Sequence, residues 1–186
     1  MRWKNTADRY GSLSIGMHWL MLLLLTAVYA AINLHDFATK GGALRENLKL
    51  WHFVFGLSVL VLVVVRLVIR WQAGRSPNIK PAIAVWQHRL AQTMHIALYV
   101  FMMPLLGWLT VSAKGVPISI FGMQLPLLLA TDKPLAGTLK EIHETIGTIG
   151  YYLIGLHALA ALYHHYVKHD NTLGRMLPTR CGRKKD

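Results

Sequence analysis

Four long apolar stretches, parted by shorter polar runs, dominate the pattern along the chain. A bilayer core takes about 20 mostly apolar residues, roughly 17–25. Stretches at about residues 18–34, 50–69, 94–113 and 146–167 meet that length. None holds an acidic residue, and the second has Arg66 only near its end. Lipid cannot hydrogen-bond an open sheet edge, so the spans are helices. Pro77 and Pro81 interrupt the second connection. The third connection, about 114–142, contains a further apolar piece, PISIFGMQLPLLLA, broken by Pro117, Gly122 and Pro126. It is too short and too interrupted to cross, which predicts a cap lying in the interface. The pattern predicts an all-α integral membrane protein: a four-helix bundle of up-down topology, one domain over residues 1–186.

Composition agrees with a lipid solvent. Apolar residues make up 54% of the chain and charged residues 15%, with a mean hydropathy of +0.37. A soluble domain carries about 25% charge. The formal net charge is +12. Nucleic-acid binding would need basic residues spread among polar ones on exposed faces, whereas here they fall in short runs between apolar stretches. That excludes a nucleic-acid partner. The sole cysteine, Cys181, lies near the C-terminus, which excludes a disulfide framework and any cysteine-ligated zinc or iron–sulfur site.

Basic residues also orient the spans, because they collect on the cytoplasmic side. The N-terminus (Arg2, Lys4, Arg9), the second connection (Arg66, Arg70, Arg75, Lys80, Arg89) and the C-terminus (Lys168, Arg175, Arg180, Arg183, Lys184, Lys185) hold fourteen of them. The first and third connections hold six: Lys40, Arg45, Lys49, Lys114, Lys133 and Lys140. Both termini are therefore expected in the cytoplasm. A competing reading takes the first span for a secretory signal cleaved near Ala30 and Ala31, but that would put the basic C-terminus outside. The last residues, RCGRKKD, read as a disordered tail.

Ten histidines are unusual in such a chain, and an imidazole within the bilayer is costly and a functional candidate. His18 opens the first span at its cytoplasmic end. His52 and His143 open the second and fourth spans at their outer ends. His157 sits 14 residues beyond His143, close to four whole turns and about 21 Å of rise. The two rings thus leave one face of the helix, at opposite levels of the membrane. His157 falls near the level of His18, and His143 near that of His52. Between them the face reads Gly147, Gly150 and Ile154, continuing to Ala161 and His164. Small residues can simply let helices approach. A flat macrocycle ligated at each end and lying against glycine would explain both the bare face and the imidazoles that bracket it. On the second span the same steps from His52 reach Gly56 and, at the inner level, Arg66. That arginine either pairs with an anion such as a haem propionate or snorkels to headgroups.

Two imidazoles per site without thiolate or carboxylate suit neither a closed zinc site nor a di-iron carboxylate site. They suit iron in haem, whose porphyrin supplies the other four ligands, and a six-coordinate haem performs one-electron transfer. Hydrogen-bonded packing histidines are the alternative. Of the rest, His95 is placed to touch a propionate or a quinone, or to make a core hydrogen bond. His164 continues the stripe and is a candidate proton carrier near a quinone, or part of a solvated helix end with His165 and His169. His35 reads as interfacial.

These residues resemble the bacterial cytochrome b561 family of di-haem membrane proteins over nearly the whole chain. The resemblance is carried by SIGMHWL around His18, WHFVFG around His52, HETIGTIGY from His143, GLHA around His157, and HHYVKHDNTLGRMLP beyond it. It implies four helices in the inner membrane, with two haem b groups on His18, His52, His143 and His157. It also suggests oxidation of superoxide to dioxygen, with ubiquinone as the electron acceptor. Superoxide is an anion that crosses lipid poorly, so it would be met at the outer face. There Lys49 and Lys140 each stand one turn before an outer histidine, beside Arg45. Such a basic cluster would raise an anion's on-rate, although Glu141 and Glu144 nearby oppose it.

Two other functions remain at this point. One is an electron-transfer module linking quinol to a periplasmic redox partner or dehydrogenase subunit. The other is a haem-free transporter or scaffold, which would need polar residues or broken helices at mid-membrane. The spans offer only Thr26, Tyr29 and Ser58 for that.

Overall fold

A computed structural model describes residues 4–72, 77–81, 83–103 and 105–177. Its helices are α1 (Ser12–Phe37), α2 (Ala43–Gln72), α3 (Val85–Phe101), α4 (Leu105–Ala113) and α5 (Lys133–Tyr166). Four segments are long and apolar enough to cross a membrane: Ser12–Phe37, Ala43–Gln72, Val85–Ala113 and Lys133–Tyr166. The first two helices overrun their apolar stretches at both ends and the other two segments at their starts only, because helix hydrogen bonding can continue into the headgroup zone beyond the hydrocarbon.

Two expectations are corrected. The third crossing is not one helix but α3 followed by α4. The Met102 N–H still bonds to Leu98 O, and the Met103 N–H turns back to Val100 O. Pro104 follows in the sequence; a proline disfavours helical geometry in the residue before it and lacks an N–H of its own. The fourth crossing also begins earlier than about residue 146. Asp132 caps α5 by accepting from the Leu135 N–H at 3.0 Å, and Pro134 stands in the first turn, where its missing N–H costs nothing. The segment expected to form the cap therefore spans residues 114–132 rather than 114–142.

That cap holds a two-stranded antiparallel hairpin, β1 (Ser119–Ile120) and β2 (Met123–Gln124), turning through Phe121 and Gly122 at positive φ. It is tied to α4 at three points. Ser112 Oγ, buried, accepts from the Leu128 N–H. The Trp108 indole N–H donates to Pro126 O. The Asp132 N–H bonds to Ala113 O.

A short turn folds α1 against α2, while α5 packs on α3 and α4. Met21, Val59, Val63, Leu98 and Met102 form the buried core, flanked by Val28, Phe101 and Ile154. Much of the remaining apolar surface faces outward, from Leu23 and Val61 to Ile96 and Leu159. In water such a surface would drive association; in lipid it is the solvated face.

The end where the first and last described residues lie, the one expected on the cytoplasmic side, is closed by polar bonds. Arg9 donates to Gly174 O and Leu177 O, and Arg175 donates to Pro77 O. The Trp19 indole N–H donates to Met176 O at 2.9 Å. Lys80 pairs with Asp8. The N-terminal segment, the α2–α3 connection and the C-terminal loop thus lock together beside His18.

Candidate functional site

The two imidazole pairings expected from the helix levels are brought together. His18 on α1 faces His157 on α5 with ring centroids 6.3 Å apart. At the outer end His52 on α2 faces His143 on α5 at 6.2 Å. Two imidazoles on opposite sides of one metal, each bonded at about 2.0–2.1 Å, bring their centroids about 6 Å apart. Both pairs fit that spacing. Among the described residues no group of three or more His, Cys, Asp or Glu could hold a bare metal ion. A centre whose remaining ligands come from a macrocycle suits this donor set.

The surroundings fit as well. His52 Nδ1 lies 3.1 Å from Val28 O. A metal-ligating histidine ordinarily gives its second N–H to such a carbonyl, which fixes the ring and frees Nε2. Val28 belongs to α1, so the tight α1–α2 hairpin orients the outer ring. A Cβ on Gly107 would stand 3.6 Å from the His143 ring, so α4 forms its other wall. Around Gly56 and Gly147 a Cβ would meet nothing within 4 Å. Both glycines border open space of the kind a flat group needs.

Gly150 departs from the expectation of a bare face. A Cβ there would overlap Phe101 and the Tyr29 hydroxyl, and Tyr29 donates to Gly147 O at 2.7 Å. Midway along α5 the face is filled by these two aromatic side chains, which separate the inner pair from the outer pair. Counting steps along α5 finds the glycine but cannot tell whether a cofactor or a neighbouring side chain approaches it.

At the inner end Arg66 Nη2 lies 3.4 Å from His18 Nδ1. The guanidinium turns into the site instead of snorkelling outward. His95 on α3 joins the inner cluster, 5.5 Å from His157. His164 does not face that cluster. Its Nδ1 is 2.5 Å from Asp170 Oδ2, and Asp170 is buried in the C-terminal loop. Burial acts to raise the Asp170 pKa, but hydrogen bonds from Thr172 and His164 outweigh it and hold the carboxyl below its ordinary range. His164 is an anchor for that loop. An Asp six residues on, past the helix end, was the signal for it.

The outer basic cluster is also smaller than the sequence suggests. Arg45 donates to His35 O at 2.7 Å and Ala38 O at 3.1 Å. Its charge caps the carbonyls that end α1 and closes the α1–α2 turn. Lys140 pairs with Glu144 at 3.2 Å, one turn on. Lys49 is exposed and has no ion-pair partner among the described residues.

Bilayer-crossing helices and imidazoles paired at haem spacing together describe a membrane cytochrome b. A family model described as prokaryotic cytochrome b561 matches residues 9–179. Cytochrome b561 homolog 1 of Escherichia coli K12 is 37% identical over 175 residues, covering 93% of this chain and 99% of that one. A probable superoxide oxidase CybB of Yersinia pestis is 36% identical over 176 residues, 94% and 98% of the two chains. Cytochrome b561 homolog 2 of Escherichia coli K12 is 29% identical over 182 residues, 95% of each. The chain belongs to the prokaryotic cytochrome b561 family, bacterial membrane proteins that carry b-type haem and transfer electrons.

Proposed function

We propose that this protein binds two haem b groups, one between His18 and His157 and one between His52 and His143, in the bacterial inner membrane. Its reaction is oxidation of superoxide at the periplasmic face with reduction of ubiquinone. Two superoxide ions each lose one electron to give dioxygen, and one quinone takes both electrons and two protons to give the quinol. Two matched imidazole pairs, set about four helical turns apart on α5, carry this reading. The superoxide half draws on the name of the Yersinia pestis relative. Haem, when bound, supplies one-electron chemistry.

This chain's own residues do the rest. Val28 O and the wall at Gly107 hold the outer rings in place. Arg66 supplies the positive charge that an inner propionate needs. Lys49 is the free cation nearest in sequence to His52 and draws a small anion to the outer end. Lys140 contributes less, because Glu144 neutralises it. Arg45 is a structural clamp.

The test is stopped-flow reduction of the purified haem protein by superoxide. Lys49→Glu is expected to slow it about tenfold at low salt, with the difference shrinking as salt rises. Lys140→Glu is expected to change it less. A rate insensitive to both salt and Lys49 rules out electrostatic capture here. Slow reduction by superoxide with fast reduction by quinol would favour the electron-transfer module serving a periplasmic partner.

A further inference from the structure

Residues 115–131, between α4 and α5, carry no charge, and the side chains at the tip of their hairpin face outward. Phe121 is 79% exposed and Met123 72%. A hairpin turn in water takes Asn or Asp before its glycine, because those residues tolerate a positive φ. Here Phe121 holds that place at φ 49°, a conformation uncommon for a bulky residue. An apolar tip kept against that backbone preference, on a loop without charge, suits an apolar surrounding.

The tip also turns back along the bundle. α4 meets the His143 ring at Gly107 and runs six residues further to Ala113, about 9 Å of rise. From there the chain returns to α2, where the Phe121 ring lies 6.3 Å from that of Trp51, the residue before His52. Trp51 in turn stacks on Phe55 at 5.2 Å. The three rings make a row at the outer end of α2, as aromatic side chains do at a membrane surface. The Phe121–Trp51 contact is T-shaped and leaves most of Phe121 uncovered.

We infer that the hairpin tip inserts into the outer leaflet of the bilayer, with Phe121 and Met123 among the upper acyl chains and the strands at headgroup level. Nothing in this depends on which donor reduces the outer site. A two-stranded ladder leaves edge N–H and C=O groups that hydrocarbon cannot satisfy, so side chains enter and the backbone stays above. Ile118 is buried and Leu125 N–H bonds to Ile118 O, so the root of the hairpin is fixed to the protein while its tip is free. Lys114 and Lys133 bracket the loop, exposed and without an ion pair among the described residues. Lys133 lies in the first turn of α5, where the helix dipole disfavours a cation, and a lipid phosphate beside it offsets that. Acyl chains under the tip and phosphates at its roots match this order of apolar and cationic groups.

The test uses haem-loaded protein in bilayers of phosphatidylethanolamine and phosphatidylglycerol. In a Cys181→Ser background, Phe121→Cys, Met123→Cys and Lys114→Cys each carry one nitroxide spin label, and haem-to-protein ratios like wild type's show that the variants fold. Collision of each label with oxygen, which concentrates among acyl chains, is compared with collision with a water-soluble nickel chelate. Labels at 121 and 123 are expected to lose nickel collisions and keep oxygen collisions, with the reverse at 114. Two positions are used at the tip so that one perturbed variant does not decide the result. Nickel reaching 121 and 123 as freely as 114 overturns the proposal and leaves the hairpin in water. Shielding of both tip labels from oxygen and nickel alike also overturns it, because a second copy or another protein would then cover the tip.

Discussion

Single side chains carry the chemistry, and each imidazole's neighbours set what it can do. His52 is held by a backbone carbonyl and His143 by the wall at Gly107. On the two-haem reading proposed above, replacing either member of a pair leaves a single imidazole at that site, so His52→Ala and His157→Ala are each expected to lose about one haem per chain by haem-to-protein ratio. The glycines of α5 separate two roles. Gly147→Leu puts a side chain into open space and is expected to lower haem content with little effect on the helix. Gly150→Ala drives a methyl into Phe101 and Tyr29. It is expected to destabilise the fold by about 1–3 kcal/mol, as overpacking does, measured by chemical denaturation in detergent.

At the scale of elements, single side chains that bond across a junction are points of control. Arg45 alone supplies two hydrogen bonds to the carbonyls at the end of α1. Arg45→Ala is expected to cost about 1–2 kcal/mol in the same denaturation assay, a charge-assisted bond discounted for partial exposure. The junction of α5 with the C-terminal loop depends on pH through Asp170. Its carboxyl pKa is depressed in the folded state. Its stabilisation is therefore complete above the ordinary carboxylate value of 3.8 and is lost as pH falls through the lower folded value. Hydrogen exchange of residues 171–177 is expected to stay slow at pH 5 and to quicken in acid below that ordinary value. Asp170→Asn is expected to remove most of that dependence.

At the scale of the whole molecule the asymmetry of charge sets the direction in the membrane. The N-terminal segment and the C-terminal loop meet at one end of the bundle, where Arg9 donates to the carbonyls of Gly174 and Leu177, and the charge asymmetry assigns that end to the cytoplasm. Cys181 is the sole thiol of the sequence and lies beyond the described residues. A membrane-impermeant maleimide is expected to label it in inside-out vesicles and not in intact cells. The reverse pattern would invert the molecule and place Lys49 in the cytoplasm.

Hydropathy, histidine spacing and basic asymmetry were legible without a fold. Each is a property of one helix at a time: its length, the levels of its rings, the side on which it ends. From these the four crossings and the levels of His18, His52, His143 and His157 follow. What lay between helices did not. That Phe101 and Tyr29 meet Gly150, that Arg45 and His164 are committed to the carbonyls of a turn and to Asp170, and that Tyr29 of α1 packs on Tyr151 of α5 all depend on how separate helices are rotated against each other. Periodicity along one chain segment holds no record of a neighbour's rotation, because packing across the bundle, together with the turns and capping bonds that close its ends, sets it.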